Sequence, residues 1–260
     1  MVPAGAPTSM AGMELPEPFE LVGEHVGIEL PGGRALFTTR RGGVSEAPYE
    51  SLNLGRWTED DPQAVAENRR RVAATIGLTP DAIAQGRQVH GPRVEKVCHA
   101  PDPSADPVEA DGQATSLRDV ATLVLTADCL PIALISSKAV AMVHAGWRGL
   151  ANGVIEQGVR ALRDLGADGS VAAAIGPGAG SCCYEVGDEV RAAFARHGSA
   201  VRHGRCIDLK AIATKELRAA GVREVHDCHL CTMCADPSLF FSHRRDGGLT
   251  GRQAGLAWRA

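Results

Sequence analysis

Residues 123–135, Leu-Val-Leu-Thr-Ala-Asp-Cys-Leu-Pro-Ile-Ala-Leu-Ile, and the residues that follow to Gly149, Ser-Ser-Lys-Ala-Val-Ala-Met-Val-His-Ala-Gly-Trp-Arg-Gly, decide how the chain folds. Three apolar runs of strand length lie at 120–125, 131–135 and 139–143. Runs without polar alternation are the pattern of strands covered on both faces. Cys129 stands just beyond the end of the first run, and His144 at the end of the last, before a glycine-rich turn. A thiol and an imidazole at separate strand ends can meet in space, and strand-end loops on a rigid scaffold are where reacting groups are displayed.

Working outward, residues 34–39 read as a strand closed by Arg40-Arg41-Gly42-Gly43. Asp60-Asp61-Pro62 is a helix start, and Val65, Val72 and Ile76 place an apolar stripe on a helix that Gly77 stops. Residues 83–90 and 93–98, on either side of Gly91-Pro92, look like two strands of one ribbon. A helical pattern covers 149–165, a buried strand 172–175, and a further helix runs over about 188–197. Asp208 caps a helix over 209–220 that Gly221 ends. Strand-like runs follow at 222–225, 239–242 and 254–258. Strands and helices mix without strict alternation, and neither a repeat nor a dividing linker is present. The reading is one mixed α/β domain over residues 16–260, with helices packed outside the sheets, behind a mobile leader of small residues over 1–15.

With 44% apolar and 22% charged residues the composition is ordinary for a globular chain of 260 residues. A net charge of −4, 4% aromatics and no basic block argue against nucleic-acid or anionic-membrane partners. No apolar stretch reaches the roughly 18 residues of a membrane span, and the N-terminus lacks the charged and apolar regions of a secretory signal. These features predict a cytoplasmic protein, whose eight cysteines are buried thiols, ligands or nucleophiles rather than disulfides.

His90, Cys129 and His144 are the strand-end residues that could carry chemistry. Two imidazoles and a thiolate match a zinc site with a fourth position open to water or substrate. The same residues also read as a metal-free Cys–His nucleophile, as a copper site with Met142 near in sequence, or as buried, hydrogen-bonded side chains. Cys228, Cys231 and Cys234 form a C-x2-C-x2-C run that could hold structural zinc with His226 or His229, or be a tight loop of thiols. Arg40, Arg148, Arg244 and Arg245 lie in glycine-flanked loops suited to phosphate or carboxylate. Asp111, Asp128 and Glu185 are acid/base candidates, and Gly176-Pro177-Gly178-Ala179-Gly180 could let backbone approach a ligand.

Taken together, the motifs resemble the laccase-domain family, known also as peptidoglycan editing factor, multicopper polyphenol oxidase, or purine nucleoside phosphorylase of the laccase-domain type. The resemblance rests on Thr38-Thr39-Arg40-Arg41-Gly42-Gly43, Ser51-Leu52-Asn53-Leu54-Gly55, Gln88-Val89-His90-Gly91, Ala110-Asp111-Gly112, Ala127-Asp128-Cys129, Val143-His144-Ala145-Gly146-Trp147-Arg148-Gly149, Ile175-Gly176-Pro177, Cys182-Cys183-Tyr184-Glu185, Cys231-Thr232-Met233-Cys234 and Phe241-Ser242-His243-Arg244-Arg245-Asp246. It spans about residues 34–258. It implies a four-layer α-β-β-α fold shared with cysteine hydrolases, and a zinc ion on His90, Cys129 and His144. It implies purine nucleosides and phosphate as substrates, with phosphorolysis of adenosine, inosine and methylthioadenosine and deamination of adenosine. The resemblance puts Arg40 at the pocket, where it suits phosphate; from the residues themselves, Arg148, Asp111 and Glu185 are further expected substrate contacts, with Asp111 or Glu185 expected to shuttle the proton. The helix start near Gly149 is a candidate anion site. The competing expectations are a copper-dependent polyphenol oxidoreductase and a factor acting in peptidoglycan precursor fidelity. A monomer or small homo-oligomer is expected.

Overall fold

The computed structural model describes residues 14–260; the expected leader therefore lies outside the described residues as far as residue 13. The chain begins with an antiparallel meander, β1 (Phe19–Val22), β2 (His25–Leu30) and β3 (Gly33–Phe37), followed by α1 (Pro62–Thr75). Next come β4 (Ile83–Ala84), β5 (Val94–Val97), β6 (Gly112–Thr115), β7 (Ala121–Thr126), β8 (Leu130–Ile135) and β9 (Val140–Ala145). The remainder is α2 (Trp147–Ala151), α3 (Val154–Asp164), β10 (Ala172–Ile175), α4 (Asp188–Ala193), the small ribbon β11 (Arg202–His203) and β12 (Cys206–Ile207), α5 (Leu209–Ala219), β13 (Glu224–Asp227) and β14 (Gln253–Arg259).

Two six-stranded mixed sheets result, in the orders β1-β2-β3-β14-β7-β4 and β13-β10-β8-β9-β6-β5. Every residue of β7, β8 and β9 is buried, as their unbroken apolar runs require. Strand alternation then sorts their side chains into layers. Leu130, Ile132 and Leu134 of β8, with Ala141 and Val143 of β9, pack under α3 and α5. Ala133, Ile135, Val140 and Met142 face the other sheet, where they meet Val26, Ile28, Phe37 and Val124. On the far face of that other sheet, Leu123, Leu125 and Leu256 pack against Val72 and Ala73 of α1. The order is thus α1, sheet, sheet, then α3 with α5: four layers, in one domain.

Three local expectations are corrected. Residues 83–90 and 93–98 do not form one ribbon: β4 pairs in parallel with β7, whereas β5 pairs in parallel with β6 in the opposite sheet. The chain between them therefore crosses from sheet to sheet. The helix read over 149–165 is two helices, broken at Gly153, whose φ of 83° is left-handed. The first, α2, spans five residues and is too short to supply the anion site expected near Gly149. Residues 239–242 form no strand, because Phe240 and Phe241 are buried as loop anchors.

The first sheet holds a pH-sensitive contact. His25 opens β2 at 8% exposure, and its Nδ1 accepts the Thr39 amide at 3.3 Å. Burial lowers its pKa from 6.5 to about 4, against an opposing hydrogen bond at Glu24. The unfolded chain therefore binds a proton at a pH where the folded chain does not, so stability is lost as pH falls through that window. Between about pH 7 and about pH 4.5 the loss from this group is roughly 2–3 kcal/mol. Urea unfolding at both values should show a larger drop for the wild type than for His25→Gln; equal drops would refute the assignment.

Candidate active site

Two sheet-to-sheet connectors and the end of one strand converge on a single point. The β4–β5 connector carries His90, the β7–β8 connector carries Cys129, and β9 carries His144. The first connector is anchored by Gln88, whose amide donates to the Leu125 carbonyl and accepts the Leu125 amide, both at 2.8 Å. This completes a strand-like pair with β7 through a side chain. The second connector turns at Asp128, whose φ is 89°. The Asp128 carboxylate accepts Thr232 Oγ1 at 2.6 Å and the Arg244 amide at 2.8 Å, and these partners hold the turn in its left-handed conformation.

Asp111, immediately before β6, organises the cluster from behind. It has no exposed surface. Its Oδ2 accepts the amides of Val89 at 3.0 Å and Gly91 at 2.8 Å, and its Oδ1 accepts that of His90 at 2.9 Å. Oδ1 also contacts His144 Nδ1 at 2.7 Å. One carboxylate thus fixes the left-handed His90, φ 60°, and orients the second imidazole. The His90 and His144 rings meet edge to face, with centroids 4.9 Å apart.

The Sγ of Cys129 and one ring nitrogen from each histidine all lie within 4.8 Å of one another. Burial pushes the Cys129 thiol up, but the positive His144 and hydrogen bonds from His144 and His90 outweigh it and bring the pKa to about 6. Burial likewise opposes a proton on His144, yet the Cys129 thiolate and Asp111 raise its pKa to about 9. With Nδ1 of His144 taken by Asp111, Nε2 is the nitrogen left for the thiol or an ion. A ring nitrogen backed by a carboxylate is the usual setting of a metal-ligating histidine. The donor set of two imidazoles and one thiolate, bordering an open cleft, therefore fits zinc.

The cleft has a volume of about 390 Å³, and all three residues line it. Arg148 also lines it, with its guanidinium 4.3 Å from the centre of the Trp147 ring. Three other expected site residues are placed differently. Asp111 is behind the cluster with both oxygens occupied, so it positions the site rather than facing the cleft. Arg40 does not line the cleft either: its guanidinium donates to the carbonyls of Glu50 at 2.6 Å and Pro237 at 3.0 Å and lies over Phe241. Glu185 turns outward toward Arg205, 3.4 Å away.

The cleft instead contains Arg252, Arg244, His243, Trp57 and Tyr184. Arg252 escapes a sequence reading because it sits at the start of a strand-like run. It is held by Asn53, whose Oδ1 accepts the Arg252 amide at 2.9 Å, and the Gly-Arg pair at 251–252 is its only local signal. The C-x2-C-x2-C run is divided: Cys228 is buried between the sheets, whereas Cys231 and Cys234 gather with Cys182 and Cys183. His226 and His229 take no part in that group: they face Glu224 and Asp227.

Residues 34–260 match the family model described as multi-copper polyphenol oxidoreductase laccase. A purine nucleoside phosphorylase of Corynebacterium glutamicum is 38% identical over 237 residues, which cover 86% of this chain and 94% of that protein. A purine nucleoside phosphorylase of Xylella fastidiosa is 43% identical over 246 residues, 88% of this chain and 93% of that protein. Among solved structures, YlmD from Geobacillus stearothermophilus superposes with a TM-score of 0.86 at 33% identity, covering 94% of this chain and 99% of the other.

Proposed function

The chain belongs to the multi-copper polyphenol oxidoreductase laccase family, and from that premise we propose that it is a purine nucleoside phosphorylase whose cleft holds zinc on His90, Cys129 and His144. The observation that carries the reading is this carboxylate-backed His–Cys–His cluster, opening into a cleft lined by Arg148, Arg244 and Arg252. The names of the relatives support the nucleoside and phosphate substrates. Zinc is favoured over copper because Met142, the thioether nearest in sequence, is buried between the sheets, and no methionine lines the cleft among the described residues.

In phosphorolysis a phosphate oxygen bonds to C1′ as the C1′–N9 bond breaks, and the purine leaves with that electron pair. Bound zinc would supply Lewis-acid polarisation of a substrate heteroatom. The chain's own residues do the rest. The three guanidiniums gather and orient phosphate. Trp57, 57% exposed at the cleft, offers a face for the base. His243 can donate a proton toward the departing purine. Deamination of adenosine and cleavage of methylthioadenosine fall within the same proposal. With Asp111 and Glu185 outside the cleft, and both oxygens of Asp128 taken by Thr232 Oγ1 and the Arg244 amide, His243 is the side chain assigned to the proton.

The test is purine and ribose 1-phosphate release from inosine with and without phosphate. Phosphate-dependent release of both products is expected; ammonia from adenosine with no phosphorolysis of any nucleoside would sink the phosphorylase reading. Arg252→Ala should raise the KM for phosphate about 10- to 100-fold, the range for losing one charge-assisted hydrogen-bonding group. The KM for inosine should change little. An unchanged phosphate KM would remove Arg252 from the site.

One observation favours a second reading. Without metal, Asp111, His144 and Cys129 form an acid–imidazole–thiol series with the thiol ready to ionise, as in a cysteine hydrolase. That reading predicts alkylation of Cys129 by iodoacetamide at a rate chelators do not change. Zinc binding predicts that chelation accelerates it.

A further inference from the structure

Away from the cleft's donor cluster, four more thiols converge. Cys182 and Cys183 come from the loop after β10, and Cys231 and Cys234 from the turn after β13. Their Sγ atoms all lie within 4.8 Å of one another, with Cys182–Cys234 at 3.4 Å and Cys182–Cys183 at 3.5 Å. All four are free thiols. Sulfurs around a tetrahedral zinc at about 2.3 Å are separated by about 3.8 Å, so the group already approximates that spacing.

The surrounding backbone is built for the group. The amide of Gly180 donates to Cys231 Sγ at 3.2 Å, as main-chain amides do to metal-bound thiolates. A Cβ at Gly180 would stand 3.1 Å from Cys182 Sγ and 3.4 Å from Cys231 Sγ, so the absence of a side chain there gives the sulfurs their room. The two loops are paired independently of the thiols. Gly178 donates to the Leu230 carbonyl at 3.2 Å and accepts the Thr232 amide at 3.1 Å, while Thr232 Oγ1 reaches Asp128 beside Cys129.

We propose that Cys182, Cys183, Cys231 and Cys234 form a second, structural metal site for a thiophilic tetrahedral divalent cation, zinc foremost, which joins the two loops that brace the Asp128–Cys129 turn. Binding releases the thiol protons to solvent and changes no oxidation state. Cys228 is outside the site, buried between the sheets.

The proposal does not depend on the nucleoside reading, and its test is metal stoichiometry. The full chain is purified untagged under anaerobic, reducing conditions, as wild type, Cys129→Ala and Cys231→Ser/Cys234→Ser. Zinc per chain is measured, and cobalt(II) replaces zinc as a spectroscopic probe. Cys129→Ala should retain one zinc per chain and, with cobalt, show intense thiolate-to-metal charge transfer. The same two serine substitutions added to Cys129→Ala should remove that ion and that band. A Cys129→Ala chain that takes up neither zinc nor cobalt overturns the proposal, as does finding the four cysteines paired as disulfides in the anaerobic protein. Because the decisive sample leaves the four thiols intact, a folding failure of the serine variants leaves the test standing.

Discussion

Replacing Cys129 with alanine should lower phosphorolysis of inosine by more than about 100-fold and release the zinc proposed for the cleft. The lower bound follows from the donor's position: partners that only orient a metal ligand are worth about 10–100-fold in affinity or activity, and Cys129 is itself one of the three proposed donors. The environment shows why the sulfur matters more than its volume. At a pKa of about 6 it is a thiolate at neutral pH, stabilised by two imidazoles in a half-buried setting where an alanine leaves those imidazoles facing each other. Cys129→Ser tests charge against shape, since a hydroxyl fits but does not ionise. Activity assays, zinc content and thermal unfolding of the three proteins are the measurements. Full activity in Cys129→Ala would remove both the metal and the nucleophile readings at once. A serine variant as active as wild type would show that thiolate charge is irrelevant.

Asp111→Ala should cost the fold about 3–5 kcal/mol and weaken metal retention in the same protein. The carboxylate satisfies the amides of Val89, His90 and Gly91 and the Nδ1 of His144, so its loss strands donors in a site that excludes water. Removing one partner of a buried charged pair is costly for this reason. Asp111→Asn has the right shape, but its amide nitrogen replaces one accepting oxygen and opposes N–H groups already pointing inward. Burial raises the Asp111 pKa, yet the hydrogen bond from His144 and the amides of Gly91 and Val89 outweigh it, leaving a net lowering. Its contribution is therefore present above the ordinary carboxylate pKa and lost as pH falls through the lower folded value. Urea unfolding curves of wild type and variant should be far apart at neutral pH and converge in acid. Coincident curves at neutral pH would show that the loop holds itself.

The central strands were legible because β7, β8 and β9 are apolar without interruption, and an unbroken run specifies burial on both faces. Cys129 and His144 were legible as strand-end residues, whereas His90 became distinctive through its motif. The meander of β1 and β2 was missed, since Glu20, Glu24, Glu29 and Gly27 interrupt any clear period. Asp111 was recognised as a residue but not in its role, because three of its four partners are backbone amides that no side-chain pattern records. The four-thiol cluster depends on β10 and β13 lying side by side in parallel, a pairing between segments some fifty residues apart. Arg252 depends in the same way on Asn53, 199 residues earlier, reaching its amide.

The two crossing connectors also govern the order in which the molecule can assemble. His90 lies between a strand of one sheet and a strand of the other, and so does Cys129. Neither is in place beside His144 until the two sheets have docked face to face. If the sheets dock after the folding transition state, an ion held by these donors slows unfolding and leaves the folding rate unchanged, so comparing both rates with and without metal dates the docking step.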